Sequence, residues 1–199
     1  MISKPYTFLF IGRSGCGKGT QAELLKKYLE ENDKRPVLYV YAGEKMRKLI
    51  EEEKSFTSQL TNKIMLLGNK HPDFLAVWAW SNELVEKFEE NMHLIIDGSP
   101  RTATEAIILD EAFKFYKREI VVPVVVDVSR QWAKDKLFKR RRADDTDERI
   151  NHRLDYYEKY VKQAIDYYDE QSKNRIIRIN GEQTIEEVHQ EIMQKVFND

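Results

Sequence analysis

The chain has 199 residues, of which 41% are hydrophobic, and its 33 basic and 34 acidic residues leave a net charge of −1. That size fits one domain with small inserts, and the balanced charge argues against a protein that binds nucleic acid over a broad surface. The single cysteine excludes an internal disulfide and a multi-cysteine zinc site, while the lack of a signal-like or membrane-length apolar run predicts a cytoplasmic protein without a membrane partner.

Five strand-like apolar runs alternate with helical patterns along the chain. The third and fourth runs are almost unbroken, which is typical of parallel strands covered on both faces. The alternation predicts an α/β fold, with a doubly wound parallel sheet of about five strands and helices on both of its faces. The runs cover residues 6–12, 35–43, 93–98, 119–128 and 174–181.

Two segments do not fit this alternation, and we expect both to leave the core. They are residues 44–73 and the charged stretch around residues 140–145. The second segment precedes a long helical pattern at 148–171, for which Asp145 and Glu148 have the spacing of a capping box.

A glycine-rich loop follows the first strand and precedes a helix. "GRSGCGK", from Gly12 to Lys18, has the G-x-x-x-x-G-K spacing of phosphate-binding loops. Its glycines let the backbone approach a ligand, and its N–H groups with the helix N-terminus form an anion site. Lys18 supplies a mobile charge for the outer phosphates. Because Gly19 follows Lys18 and the hydroxyl comes only at Thr20, we expect Mg²⁺ to be held largely through water.

The third strand ends in "DGSPR", which places charged side chains at the carboxyl edge of the sheet. Ligands of open parallel sheets bind at that edge, and the carboxylate of Asp97 can orient the water around Mg²⁺ there. Gly98 and Pro100 form a turn that directs Arg101.

Further arginines have two interpretations from their positions alone. In an extended segment Arg140 and Arg142 would point to one side and Arg141 to the other, which would concentrate positive charge. The alternative is that these arginines, like Arg47, belong only to a charged, solvent-exposed surface.

Cysteine and histidine carry no metal pattern. Cys16 lies near a helix N-terminus, where a thiol pKa can fall, but the favoured interpretation is a small residue that fits the loop. The histidines lack metal-ligand spacing and are expected to be structural or on the surface; they are His71, His93, His152 and His189.

Taken together, "GRSGCGKGTQ", "DGSPRT" and "RADDTDERINHRL" resemble the adenylate kinase family of nucleoside monophosphate kinases in order and spacing along essentially the whole chain. The resemblance implies reversible, Mg²⁺-dependent phosphoryl transfer from ATP to a nucleoside monophosphate, with AMP as the expected acceptor. It implies a monomer that needs no zinc. It also implies a P-loop core at 1–43, 74–139 and 146–199, a monophosphate-binding insert at 44–73 and a short lid at 140–145.

The resemblance also implies a role for each residue of the site. The implied catalytic residues are Lys18, Arg101, Arg140, Arg142 and Arg153. The implied ATP-binding residues are Gly12, Ser14, Gly15, Cys16, Gly17, Lys18, Gly19, Thr20 and Arg140. The implied AMP-binding residues are Ala42, Gly43, Arg47, Gly98, Arg101, Glu105, Arg142 and Arg153. The implied metal-site residues are Asp97, acting through water, and Thr20.

Some positions depart from the family pattern and keep alternatives open. The lid is short, and Ser99 stands where the family usually has an aromatic residue. Glu105 and Ala42 replace the usual Gln and Thr of adenylate kinases, and Ala at that place also resembles pyrimidine monophosphate kinases. A CMP, UMP or GMP kinase is therefore the alternative of the same class, and a nucleotide-dependent assembly or switch factor is the alternative of another class.

Overall fold

The computed structural model describes residues 2–52, 54–140 and 146–197. The predictions for Arg141 and Arg142 lie outside the described residues, as does all of the expected lid except Arg140, which is the last residue of a helix and not part of an extended segment. Within the described ranges, none of the helices has the length and hydropathy that a membrane span requires.

Five parallel strands form one sheet in the order β2-β3-β1-β4-β5. The chain leaves β1 towards β2 and β3 on one side and then towards β4 and β5 on the other, so the end of β1 is the switch point where such sheets bind ligands. The strands are β1 (Tyr6–Gly12), β2 (Val37–Tyr41), β3 (His93–Asp97), β4 (Ile120–Asp127) and β5 (Ile177–Asn180).

Helices connect the strands and cover the sheet. The predicted helix at 148–171 is observed as α7, a π-helical turn at Tyr157–Val161, and α8, which follow one another without a break. The described helices are α1 (Lys18–Asn32), α2 (Ala42–Glu52), α3 (Phe56–Leu66), α4 (Asp73–Lys87), α5 (Ala103–Phe115), α6 (Arg130–Arg140), α7 (Asp147–Tyr156), α8 (Lys162–Glu170) and α9 (Ile185–Phe197).

The core consists of two apolar layers on opposite faces of the sheet. Because successive residues of a strand face opposite sides, Phe8 and Phe10 pack in one layer with residues of α1 and α9, while Leu9 and Ile11 pack in the other with residues of α4, α5 and α8. The predicted doubly wound α/β fold is therefore confirmed.

Two local predictions were wrong in detail. The second strand ends at Tyr41, because Ala42 and Gly43 already belong to the first turn of α2. The N-terminal cap of α7 is Thr146, whose hydroxyl accepts the N–H of Arg149, so the cap lies one residue after the predicted Asp145.

Helices α2 and α3 fall within the segment that did not fit the alternation. Their apolar residues join the start of α4 in a third, small cluster that is separate from the two layers on the sheet. Its buried members are Ala42, Met46, Leu49, Leu75 and Ala79.

Candidate active site

A cavity of about 610 Å³ opens at the carboxyl edge of the sheet. Its walls come from the loop after β1, the start of α2, the turn after β3, and the ends of α6 and α7. Most of the predicted site residues line it together: Gly12, Ser14, Gly15, Gly17, Lys18, Gly19, Thr20, Ala42, Gly43, Arg47, Asp97, Gly98, Arg101, Glu105, Arg140 and Arg153.

The loop after β1, residues 12–20, is hereafter the phosphate loop. Gly15 and Gly17 have φ angles of +87° and +91°, which only glycine adopts readily. Cys16 is buried in the core layer beside them, and burial raises the pKa of its thiol. The reactive-thiol interpretation is therefore wrong, and the predicted ATP-binding role of Cys16 rests on its main chain.

Lys18 begins α1 and folds back over the phosphate loop. Its Nζ donates to the carbonyl oxygen of Arg13 at 3.2 Å. An ammonium held by one carbonyl keeps two further N–H donors, which suits a group that must reach phosphate oxygens.

Arg13 anchors the phosphate loop through its side chain, and sequence reasoning missed this role. It donates to the carbonyl oxygen of Val128 at 2.8 Å and forms an ion pair with Glu158. Its guanidinium carbon also lies 4.2 Å from the centre of the Tyr157 ring, in the π-helical turn. No local pattern signals these partners, because they lie far away in the sequence.

Asp97 lies where the sequence placed it, at the end of β3, and is buried. Its Oδ2 accepts the hydroxyl of Tyr39 at 3.2 Å, while Oδ1 is buried without a hydrogen-bond partner among the described residues. A Cβ on Gly19 would lie 3.1 Å from Oδ2, which explains why glycine follows Lys18. Thr20 lines the same cavity, so carboxylate and hydroxyl oxygens of the kind that Mg²⁺ prefers are available there.

The turn after β3 holds Arg101 by its side chain and its backbone. Nε of Arg101 donates to the carbonyl oxygen of Gly98 at 2.7 Å, and its backbone N–H donates to Oε2 of Glu105 at 2.7 Å. Glu105 is only 1% exposed, and burial raises the pKa of its carboxyl group despite the hydrogen bonds it accepts. Its Oε1 has no partner in the described part of the chain.

Arg47 lies across the cavity on α2. Its guanidinium carbon is 5.2 Å from the centre of the Tyr41 ring. Tyr41 and Tyr39 both line the cavity, and sequence reasoning missed both. Their spacing of two residues at the end of a strand was the available signal, because it puts both side chains on one face.

His71 also lines the cavity, so its assignment as a structural or surface residue was incomplete. Burial and the charge of Arg101 lower its pKa to about 4, which keeps the imidazole neutral at pH 7. Its Nε2 is buried and unpaired within the described residues. Nothing in the single sequence distinguished this histidine from the other three.

Comparison with known proteins points in the same direction as the geometry. The family model described as "Adenylate kinase" matches residues 10–173. The chain is 34% identical to the adenylate kinase of Prochlorococcus marinus (strain AS9601) over 76% of this chain and 78% of that protein. It is 32% identical to the adenylate kinase of Campylobacter curvus (strain 525.92) over 96% and 97% of the two chains, and 29% identical to that of Azobacteroides pseudotrichonymphae over 94% and 95%.

Proposed function

The chain belongs to the adenylate kinase family and is a phosphotransferase, and we propose that it catalyses the Mg²⁺-dependent reaction ATP + AMP = 2 ADP. One observation supports this most. A glycine-rich loop carrying Lys18 lines a single cavity together with Arg47 and Arg101. Phosphate-binding donors from the loop and from two further segments in one cavity suit a reaction that joins two phosphate-bearing substrates.

On the donor side, the N–H groups of the phosphate loop and Lys18 bind the outer phosphates of ATP. Backbone donors held at fixed positions stabilise the charge that develops during transfer without reorganising. Asp97, through water, and Thr20 would hold Mg²⁺, which when bound supplies positive charge to the donor phosphates. Because Gly19 has no Cβ, no side chain from this position fills the space beside the Asp97 carboxylate.

On the acceptor side, Arg47 and Arg101 bind the phosphate group of the nucleoside monophosphate. The fixed orientation of Arg101, which Gly98 and Glu105 hold through two hydrogen bonds, supports this role. The guanidinium groups of Arg140, Arg142 and Arg153 would neutralise the transferred group. Arg140 and Arg153 line the cavity, and Arg142 lies outside the described residues. The chemistry needs positioning and charge, with no covalent intermediate.

We further propose that residues 44–73 form an insert that closes over the monophosphate and that residues 140–145 form a short lid. Closure of both would exclude water, which otherwise competes for the phosphoryl group. The apolar residues of α2 pack in a cluster apart from the two layers on the sheet, which supports an insert outside the core, and Leu75 and Ala79 join this cluster from α4.

AMP is the proposed acceptor, and Glu105 is the position that tests it. Its unpaired Oε1 can accept from the amino group of adenine, but an ionised carboxylate opposes the lone pair of adenine N1. Guanine offers donors at N1 and N2, so GMP is the second candidate that this carboxylate favours.

A turnover panel tests the proposal. Purified protein with ATP and Mg²⁺ is mixed in turn with AMP, CMP, UMP and GMP, and all nucleotides and free phosphate are quantified. We expect ADP from AMP at the highest rate, and loss of turnover when EDTA removes Mg²⁺. Faster turnover of another monophosphate would correct the acceptor, and slow release of free phosphate without any new diphosphate would replace the kinase with a nucleotide-driven switch.

A further inference from the structure

The end of β2 places the Tyr41 ring near three cationic side chains. The guanidinium of Arg47 lies over the Tyr41 ring, 5.2 Å from its centre. A Cβ built on Gly98 would lie 3.5 Å from Nη2 of Arg101 and 3.8 Å from Cε of Lys18. The same position would lie 4.0 Å from Cε2 of Tyr41. Side chains from three segments of the chain, those of Lys18, Tyr41 and Arg101, therefore converge on Gly98.

The residues around Tyr41 leave room for its hydroxyl. A Cβ on Gly43 would lie 2.9 Å from Cε2 and 3.0 Å from the hydroxyl oxygen of Tyr41, which is closer than carbon atoms normally approach. The ring itself is half-buried and lines the cavity. Any larger residue at position 43 would displace the phenol from the cations.

We propose that Tyr41 is a ligand of the acceptor phosphate, with its hydroxyl donating a hydrogen bond to a phosphate oxygen while Arg47 and Arg101 neutralise the phosphate charge. This rests on the proposed function, which assigns the acceptor phosphate to these arginines. Because the donated bond ends on an anion, it is stronger than a bond between neutral groups.

The electrostatics of the phenol agree with this role. Burial alone raises the pKa of Tyr41, but hydrogen bonding to Arg47 and the charges of Arg47 and Arg101 outweigh burial, so the pKa lies below its ordinary value. A more acidic hydroxyl is a better hydrogen-bond donor.

Tyr41→Phe removes only the hydroxyl oxygen. The proposal is tested by comparing how this variant binds AMP, which has the phosphate, and adenosine, which lacks it. Calorimetry measures the binding of AMP and of adenosine, and steady-state kinetics follow in parallel. We expect the Kd and KM for AMP to rise about tenfold, while kcat, the KM for ATP and the Kd for adenosine stay within about twofold. Tyr116→Phe, which removes the same atom from a ring packed against Phe88 and Phe115, is the matched control.

Equal losses of AMP and adenosine affinity would show a structural role and overturn the proposal, as would unchanged AMP affinity. If Tyr41→Phe does not fold, the proposal is tested instead with 3-fluorotyrosine incorporated only at position 41. Its fluorine signal should shift with AMP but not with adenosine, and equal shifts or no shift would overturn the proposal. A failure of the proposed function would be recognised separately, because the wild-type protein would then form no ADP from ATP and AMP.

Discussion

The two walls of the cavity are built differently. The phosphate loop is packed into the core: a Cβ on Gly15 would lie 2.8 Å from the side chain of Leu137 and 2.9 Å from the carbonyl oxygen of Ala133. The acceptor wall combines two parts: the start of α5 with the buried Glu105, and the segment of α2 and α3. That segment depends on one small cluster shared with α4 and leaves Phe56 74% exposed and Leu67 55% exposed. Little buried apolar surface means a low cost of local opening.

This difference separates two tasks within one reaction. On the proposed function, the donor phosphates would meet backbone donors that are already in place, and substitutions in the loop should affect both folding and catalysis. On the acceptor wall, the lightly packed segment of α2 and α3 carries Arg47, so substitutions in that segment should change the affinity for the monophosphate more than the stability of the fold. The following predictions test that comparison.

The largest expected effect is at Lys18, which serves chemistry from the rigid wall without supporting the fold. Lys18→Ala should lower kcat by about 100-fold or more, because a charge aimed at the outer phosphates stabilises the transition state. Thermal unfolding should stay close to wild type. Lys27→Ala, which removes an exposed charge from the same helix, is the control. Near-normal turnover, or an unfolded variant, would contradict the assignment.

Substitutions at two glycines of the phosphate loop distinguish the effect of side-chain packing from that of backbone conformation. A Cβ on Gly12 would lie 2.7 Å from the carbonyl oxygen of Val126, whereas one on Gly17 would meet nothing within 4 Å. Both residues have positive φ, so Gly12→Ala should lose about 1–3 kcal/mol more unfolding free energy than Gly17→Ala. Urea unfolding of the two variants measures this, and equal losses would mean that the loop is not packed as described.

The arginines outside the described residues give a third test of the charge that surrounds the transferred group. Arg142→Ala should lower kcat by about tenfold or more, while Arg141→Ala should change it by less than about threefold, as the alternation inferred from the sequence predicts. Single-turnover rates of both variants decide the question. Equal losses would refute the alternation.

Glu105 tests the acceptor wall directly. In Glu105→Gln the amide oxygen can keep the bond from the N–H of Arg101, and the amide N–H₂ can donate to adenine N1. We expect the KM for AMP to fall about fivefold, within the range of one buried hydrogen bond, with kcat nearly unchanged. Kinetics of both proteins with AMP and GMP measure it. An unchanged KM for AMP would mean that Glu105 only supports Arg101.

The smallest expected effect is the acid sensitivity that His71 gives to the acceptor wall. Its pKa is lowered to about 4 in the folded chain, below the ordinary 6.5, so the folded state favours the neutral form. The stability it contributes is complete above pH 6.5 and is lost as the pH falls towards 4. Relative to wild type, His71→Leu should lose less unfolding free energy between pH 7 and pH 5, by on the order of 1 kcal/mol.

Chemical unfolding at several pH values measures the His71 effect. His152→Asn is the control, since that imidazole is exposed and hydrogen-bonds only a backbone carbonyl in the described structure. Parallel pH curves for wild type and His71→Leu would show that His71 does not titrate with folding.

Local signals carried much of the prediction. Apolar runs and glycine spacing depend on neighbouring residues, so the five strands, the phosphate loop and the position of Asp97 followed from the sequence. The assignment of strand and helix at Ala42 failed for the same reason, since its apolar neighbours fit both. The cap of α7 was placed one residue early, because Asp145 and Thr146 are both good capping residues and only the backbone distinguishes them.

The amino-acid sequence by itself determined the α/β class, the phosphate loop and the positively charged residues that could bind phosphate, because each of these features depends on residues that are close together in the sequence. Only the tertiary structure decided which side chains meet. The Arg13–Glu158 pair spans 145 positions and the Tyr39–Asp97 bond spans 58, and the convergence of Tyr41, Lys18 and Arg101 around Gly98 depends on β3 lying between β1 and β2. Such contacts follow from the order of strands in the sheet, which no local pattern of residues encodes.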